Sequence, residues 1–210
     1  MKNTIFRGMG TAIVTPMNPD LTVDYVALGR FIDFQLENGI NAIIAVGTTG
    51  ESATLEPAEQ EQVIRFTVER VNKRVPVIAG VGTNNTAHVL ENVKRACDAG
   101  ADGLLVVTPY YNKATQKGLI ASYNAVADAS DKPIIVYNVP SRTGCNIAPA
   151  TVAALAEHPN IVAIKEASGD MGYACKVSRL LGDDFNMYCG NDDITFSCHH
   201  QSFLLVSNLT

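Results

Sequence analysis

Residues 133–165 read PIIVYNVPSRTGCNIAPATVAALAEHPNIVAIK, and this stretch decides the fold. Two short apolar runs, 133–137 and 161–165, enclose a turn-rich segment and a helical pattern over 149–157 that opens on Pro149. Proline suits the first helical turn, where its missing N–H costs nothing. Runs that are apolar at nearly every position are those of parallel strands covered on both faces. The stretch therefore reads as one βαβ unit.

The same alternation repeats on either side. Strands are expected over 11–15, 42–46, 76–80, 103–107 and 185–189, and helices over 23–37, 57–73, 86–99, 116–129 and 171–181. Gly39, Gly100 and Gly182 follow three of these helices, where a left-handed C′ residue is expected. Strand starts recur roughly thirty residues apart, the length of a βαβ unit. No proline-rich or serine-rich linker breaks the series. Two architectures accommodate it: a (β/α)-barrel, or an open doubly wound sheet. The second would carry a GxGxxG turn, and the nearest match, Gly80-Val81-Gly82-Thr83-Asn84-Asn85, lacks its third glycine. The barrel is favoured.

With 210 residues, 47% hydrophobic and 18% charged, the chain has enough apolar side chains for one sizeable core. A net charge of −5 and a pI near 5.3 argue against general affinity for nucleic acid or anionic membranes. Residues 1–8 lack an apolar leader, no stretch is long enough to span a bilayer, and a cytoplasmic location is expected. The five cysteines, Cys97, Cys145, Cys175, Cys189 and Cys198, show no CxxC spacing and read as reduced packing residues. No metal site is expected.

In a (β/α)-barrel the chemistry sits on loops at the C-terminal ends of the strands. Lys165 ends the run 161–164, and period-two alternation puts it on one face with Ile161 and Ala163. If that face points inward, burial disfavours the ammonium, and a neutral amine can attack a ketone to form an imine. The plain alternative is a lysine reaching solvent or pairing with Glu166. Tyr137 ends the preceding strand and is placed to relay protons; its plain alternative is an aromatic cap on the core. Thr48 and Thr49, framed by Gly47 and Gly50, offer hydroxyls and backbone N–H groups to a small carboxylate, or merely make a turn. Arg142 is suited to clamp a second carboxylate, or is an ordinary surface arginine. Their convergence on one barrel mouth favours the chemical readings.

Four motifs in this order and spacing resemble the dihydrodipicolinate synthase family, within the pyruvate-aldolase superfamily of N-acetylneuraminate lyase. They are Val46-Gly47-Thr48-Thr49-Gly50-Glu51-Ser52, Thr108-Pro109-Tyr110-Tyr111-Asn112, Tyr137-Asn138-Val139-Pro140-Ser141-Arg142-Thr143-Gly144 and Ile164-Lys165-Glu166-Ala167. The resemblance runs from about Phe6 to Asp193. It implies a (β/α)8 barrel in which Lys165 forms a Schiff base with pyruvate, which condenses with aspartate 4-semialdehyde on the lysine and diaminopimelate route. No cofactor beyond that covalent adduct is implied. Tyr137, Thr48 and Tyr111 would form the proton relay, with Tyr111 reaching a neighbouring subunit of a homodimer or homotetramer. Thr49 would hold the pyruvate carboxylate, Arg142 the semialdehyde carboxylate, and the Gly190 backbone would line the pyruvate pocket. Thr48 and Arg142 favour this family over the sialic acid lyases. Ser52, Ala53, Asn84 and Tyr110 match lysine-feedback positions, but Gln60 and His88 stand where regulated members often carry histidine and glutamate. Weak or absent lysine inhibition is expected.

After Asn191-Asp192-Asp193-Ile194-Thr195 the resemblance ends. Residues 1–195 are expected to form the barrel domain and 196–210 an aberrant tail, leaving a C-terminally truncated barrel with seven strands clear and the eighth, over 204–207, doubtful. Full barrels typically need roughly 250 residues. Two alternatives therefore stand beside the synthase reading: another pyruvate-dependent aldolase acting on sialic or keto-deoxy sugar acids, and a catalytically impaired fragment. His199 and His200 lack a third ligand at suitable spacing for a metal.

Overall fold

The computed structural model describes residues 4–194 and the strand Leu204–Ser207. His199 and His200 lie outside the described residues. Eight parallel strands close into a barrel in chain order. They are β1 (Met9–Ala12), β2 (Ala42–Ala45), β3 (Val77–Gly80), β4 (Gly103–Val107), β5 (Ile134–Asn138), β6 (Ile161–Glu166), β7 (Asn186–Cys189) and β8 (Leu204–Ser207). The doubtful eighth strand is present: Leu205 pairs with Met9 of β1 and with Cys189 of β7. Closure excludes the open sheet and leaves neither β1 nor β7 with a bare edge.

The helices are α1 (Tyr25–Glu37), α2 (Pro57–Val71), α3 (Thr86–Asp98), α4 (Gln116–Asp128), α5 (Pro140–Thr143), α6 (Pro149–Ala156) and α7 (Met171–Val177). Their starts are encoded locally. Asp24, Asn85, Thr115 and Asp170 each accept a backbone N–H of the first turn, and Glu59 reaches back to the Glu56 amide while Pro57 opens α2. Gly39 and Gly100 adopt the left-handed conformation expected of them, φ 79° and 92°. Gly182 does not. The helix expected to reach 181 stops at Val177, runs through a 3₁₀ turn, and becomes extended at Leu181, so the Gly182 N–H bonds to Phe185 O instead.

Apolar side chains divide by strand face. Ala42, Ile44, Ile78, Leu105, Ile135, Tyr137, Ala163 and Tyr188 form an inner cluster, whereas Ile43, Ala45, Val77, Leu104, Val106, Val136 and Ile164 pack outward against the helices. This double burial is why the strands read as continuous apolar runs. The lower end is plugged by Phe6, which stacks on Tyr188 at 4.5 Å and accepts the tyrosine hydroxyl on its carbonyl. Two expectations shift. The strand expected over 11–15 runs Met9–Ala12, because Asn41 bonds both the N–H and the carbonyl of Met9 while the Thr15 hydroxyl is drawn to Gly50 O. Ile161 does not share a face with Lys165: a register irregularity at Ile134/Ile135 sends Ile161 outward, leaving Ala163 as the inner neighbour of Lys165.

Candidate active site

Lys165 lies at the upper end of β6, 2% exposed. Its neighbours on the inner face are Ala163 below and, across the ladder, Tyr137 on β5 and Tyr188 on β7. The ammonium sits 4.6 Å from the centre of the Tyr137 ring. Burial dominates its protonation: the pKa falls from 10.5 to about 8, with Arg142 adding to the fall and Asp192 opposing it. Space for the side chain comes from Gly190. A Cβ there would stand 2.8 Å from Lys165 Cε and 2.9 Å from Ala167 Cβ. The Gly190 N–H is tied to Glu166 O at 2.8 Å, so the backbone after β7 closes over the lysine.

Tyr137 is buried, and burial raises its pKa, while the Arg142 charge and a hydrogen bond with Thr48 pull the other way. That bond joins the ends of β5 and β2. Thr48 and Thr49 sit in a turn entered by Val46 at φ 55° and closed by bonds from the Glu51 and Ser52 amides to Thr48 O and Gly47 O. A Cβ at Gly50 would stand 3.1 Å from Ile13 O and 3.3 Å from Thr15 Oγ1, and the Gly50 carbonyl accepts the Thr15 hydroxyl at 2.7 Å. The turn is thereby pinned to the end of β1.

Arg142 projects from α5, a single helical turn after β5 where the sequence alone suggests only a loop. Pro140 opens α5 and Gly144, left-handed at φ 67°, ends it. Arg142 lines a cleft with Thr48, Val107, Tyr110 and Val139, directly above Tyr137. Lys165, Tyr137, Thr48 and Arg142 thus share one mouth, with Thr49 beside Thr48 in its turn. Tyr111 is not brought in: it is 89% exposed at φ 71° on the rim.

Ser52, Ala53 and Tyr110, which also line that cleft, wall an adjoining groove of about 270 Å³ with Gln60, His88, Glu91 and Thr83, and Asn84 follows Thr83 at its edge. The Gln60 amide nitrogen already donates to Ser52 O and Leu55 O, and Glu91 pairs with Arg95 at 3.4 Å.

The sequence profile of the dihydrodipicolinate synthetase family matches residues 5–201. The chain belongs to the dihydrodipicolinate synthetase family. It is 52% identical to the 4-hydroxy-tetrahydrodipicolinate synthase of Thermoanaerobacter sp. (strain X514) over 190 residues, which are 90% of this chain and 64% of that relative. The chain therefore spans somewhat less than two thirds of that relative's length. The solved dihydrodipicolinate synthase of Acinetobacter baumannii, chloride-inhibited and complexed with pyruvate, shares 43% identity at a TM-score of 0.94, covering 98% of this chain and 70% of its own. That of Thermotoga maritima shares 45% at 0.94, covering 97% and 70%.

For this member of the dihydrodipicolinate synthetase family, sequence reasoning missed two features of the site. Gly80 and Gly82, weighed only as a nucleotide fingerprint, instead allow close approach between strand ends. A Cβ at Gly80 would lie 2.1 Å from Val46 O, and one at Gly82 would lie 2.5 Å from Val107 N. The signal was present as glycine at the end of an apolar run. The second is the pair Asn138 and Glu166, each one residue past a site residue on the outer strand face, both buried. Polar residues at the ends of apolar strands carried that hint.

Proposed function

We propose that this chain carries the Schiff-base site of a 4-hydroxy-tetrahydrodipicolinate synthase, joining pyruvate to aspartate 4-semialdehyde. The observation that carries the reading is Lys165, buried at the barrel mouth with its pKa lowered to about 8 and Tyr137 alongside. Family membership and the names of the relatives support the choice of substrates.

In this reading neutral Lys165 Nζ attacks the keto carbon of pyruvate, whose carboxylate rests on Thr49 and the turn amides. Tyr137 returns a proton to the carbinolamine oxygen, water leaves, and the iminium forms. Loss of a methyl proton gives the enamine, whose carbon bonds to the aldehyde carbon of the semialdehyde. The semialdehyde amine then displaces Lys165 from the imine carbon, closing the ring and freeing the lysine. The iminium itself is the electron sink, so no dissociable cofactor is required. Arg142 holds the carboxylate of the second substrate, and Gly190 leaves room for Lys165 to swing onto the first.

Tyr111 completes the relay from a neighbouring copy in a homo-oligomer, a dimer or tetramer, in the cytoplasm. Its exposure and left-handed backbone support that role, because a large exposed aromatic held in a strained conformation is costly without a partner. The groove lined by Ser52, Ala53 and Tyr110 is a weak lysine site at most, since Gln60 is spent on backbone carbonyls, Glu91 is paired with Arg95, and His88 offers no negative charge to an ammonium.

Assays with pyruvate plus aspartate 4-semialdehyde, against cleavage of sialic and keto-deoxy sugar acids, test the substrate choice. Turnover of the semialdehyde alone supports it; cleavage of a sugar acid with no condensation overturns it.

A further inference from the structure

Behind the Lys165–Tyr137 pair lies a second cross-strand pair, one residue further along and on the outer face. Asn138 and Glu166 are register partners on β5 and β6, 0% and 5% exposed. Asn138 Nδ2 donates to Glu166 Oε2 at 2.8 Å, and the Ser168 N–H donates to Glu166 Oε1 at 2.6 Å. Burial raises the Glu166 pKa, and these two donors work against that rise by favouring the carboxylate. Asn138 does more than hold Glu166. Its Oδ1 accepts the Ile147 N–H at 3.1 Å, its Nδ2 also donates to Asn146 Oδ1 at 2.8 Å, and its own carbonyl accepts the Ala167 N–H at 2.9 Å.

These bonds make a frame around one loop. Residues 139–147 leave β5 immediately after Asn138 and are tied back to it at Asn146 and Ile147, with the Ile147 carbonyl further held by the Tyr173 hydroxyl at 2.6 Å. Arg142 is carried at the middle of that loop. The residue is exposed, so its placement over the mouth depends on how well the loop ends are held. Asn138 is oriented by Glu166: a carboxylate presents acceptors to both Asn138 Nδ2 and Ser168 N–H, which no uncharged side chain of that shape does. An amide at position 166 would turn an NH₂ group toward one of the two donors.

We propose that Glu166 is a positioning residue which, through Asn138, fixes the 139–147 loop and thereby sets affinity for the carboxylate-bearing second substrate that Arg142 receives. Glu166 touches neither substrate. The identity of that substrate rests on the Schiff-base reading, but the loop frame itself does not.

The test compares Glu166→Gln, Asn138→Asp and the double variant. In the double variant the new amide nitrogen at position 166 donates to the new carboxylate at position 138, the amide oxygen keeps the Ser168 N–H, and the Asn146 amide turns over so that its Nδ2 donates to position 138 where its Oδ1 had accepted. The pairing is thereby restored with its polarity reversed. Glu166→Gln is expected to raise KM for aspartate 4-semialdehyde about tenfold, the scale of one charge-assisted hydrogen bond, while borohydride trapping of pyruvate stays within about twofold. Amide hydrogen exchange at 142–147 quickens in the single variants, and the double variant recovers both readouts. Equal loss of trapping and condensation in Glu166→Gln, an unchanged KM and exchange rate, or a double variant no better than the singles would overturn the proposal. If the wild-type protein traps no pyruvate, it is the Schiff-base reading that fails. The exchange comparison then decides the loop frame alone, recovery in the double variant upholding it and no recovery refuting it.

Discussion

Tyr137 and Lys165 are register partners on adjacent parallel strands, with the lysine ammonium 4.6 Å from the centre of the tyrosine ring. A parallel ladder holds such a pair rigidly, because both side chains issue from the same inner face at the same height. The pairing gives a desolvated amine next to a hydroxyl linked to Thr48 and influenced by the Arg142 charge. Four consequences are open to measurement.

The first is a pH dependence. Only a neutral amine can attack a ketone, and the folded protein gives Lys165 a pKa of about 8 instead of 10.5. The rate of imine trapping should rise about tenfold per pH unit below 8 and level off above it. The sign follows from burial, which penalises the charged form. A profile still rising steeply at pH 10 would mean an ordinary, solvated lysine.

The second concerns Tyr137. Replacing it with Phe keeps the ring beside Lys165 but removes the hydroxyl proposed to accept and return protons. Trapping should slow by about 10²-fold, the lower range of general acid–base contributions, with circular dichroism unchanged. An unaffected rate would assign the proton transfers to water.

The third is steric. Gly190→Ala places a methyl 2.8 Å from Lys165 Cε and 2.9 Å from Ala167 Cβ. Overpacking of this kind costs about 1–3 kcal/mol, and here it also displaces Lys165. Lower thermal stability together with weaker imine formation is expected. Normal trapping in a stably folded Gly190→Ala protein would show that the strand gives way more easily than its backbone bond to Glu166 implies.

The fourth is regulatory. Activity should be little changed by millimolar lysine, because the groove around Ser52 and Tyr110 presents His88, a committed Gln60 and a Glu91 already paired with Arg95 where an ammonium needs a negative partner. Restoring the acid with His88→Glu should introduce inhibition. Strong inhibition of the unaltered protein would refute the charge argument.

Much of this was legible in the sequence, for identifiable physical reasons. The strands β2 to β6 are buried on both faces, so stretches such as 42–45 and 134–137 announce themselves as unbroken apolar runs. Lys165, Tyr137 and Thr48 stood out because polar groups end those runs where the barrel opens. The bulge beside Ile134 was not legible, since register shifts depend on the partner strand, and it moved Ile161 to the other face. The helical turn of α5 was too short for periodicity to register. The eighth strand, doubted because the resemblance ends before it, is paired on both sides once the barrel closes. The role of Asn138 and Glu166 was hidden for a related reason: their bonds join residues on different elements, and each alone looks like a surface residue at a strand end.

The central claim is that Lys165 is the covalent nucleophile. Incubating the protein with pyruvate and borohydride, then mapping peptides by mass spectrometry, tests it most directly. One reduced pyruvate adduct on the peptide containing Lys165, lost in Lys165→Ala, is the predicted result. No adduct, or an adduct on any other lysine, would contradict the account.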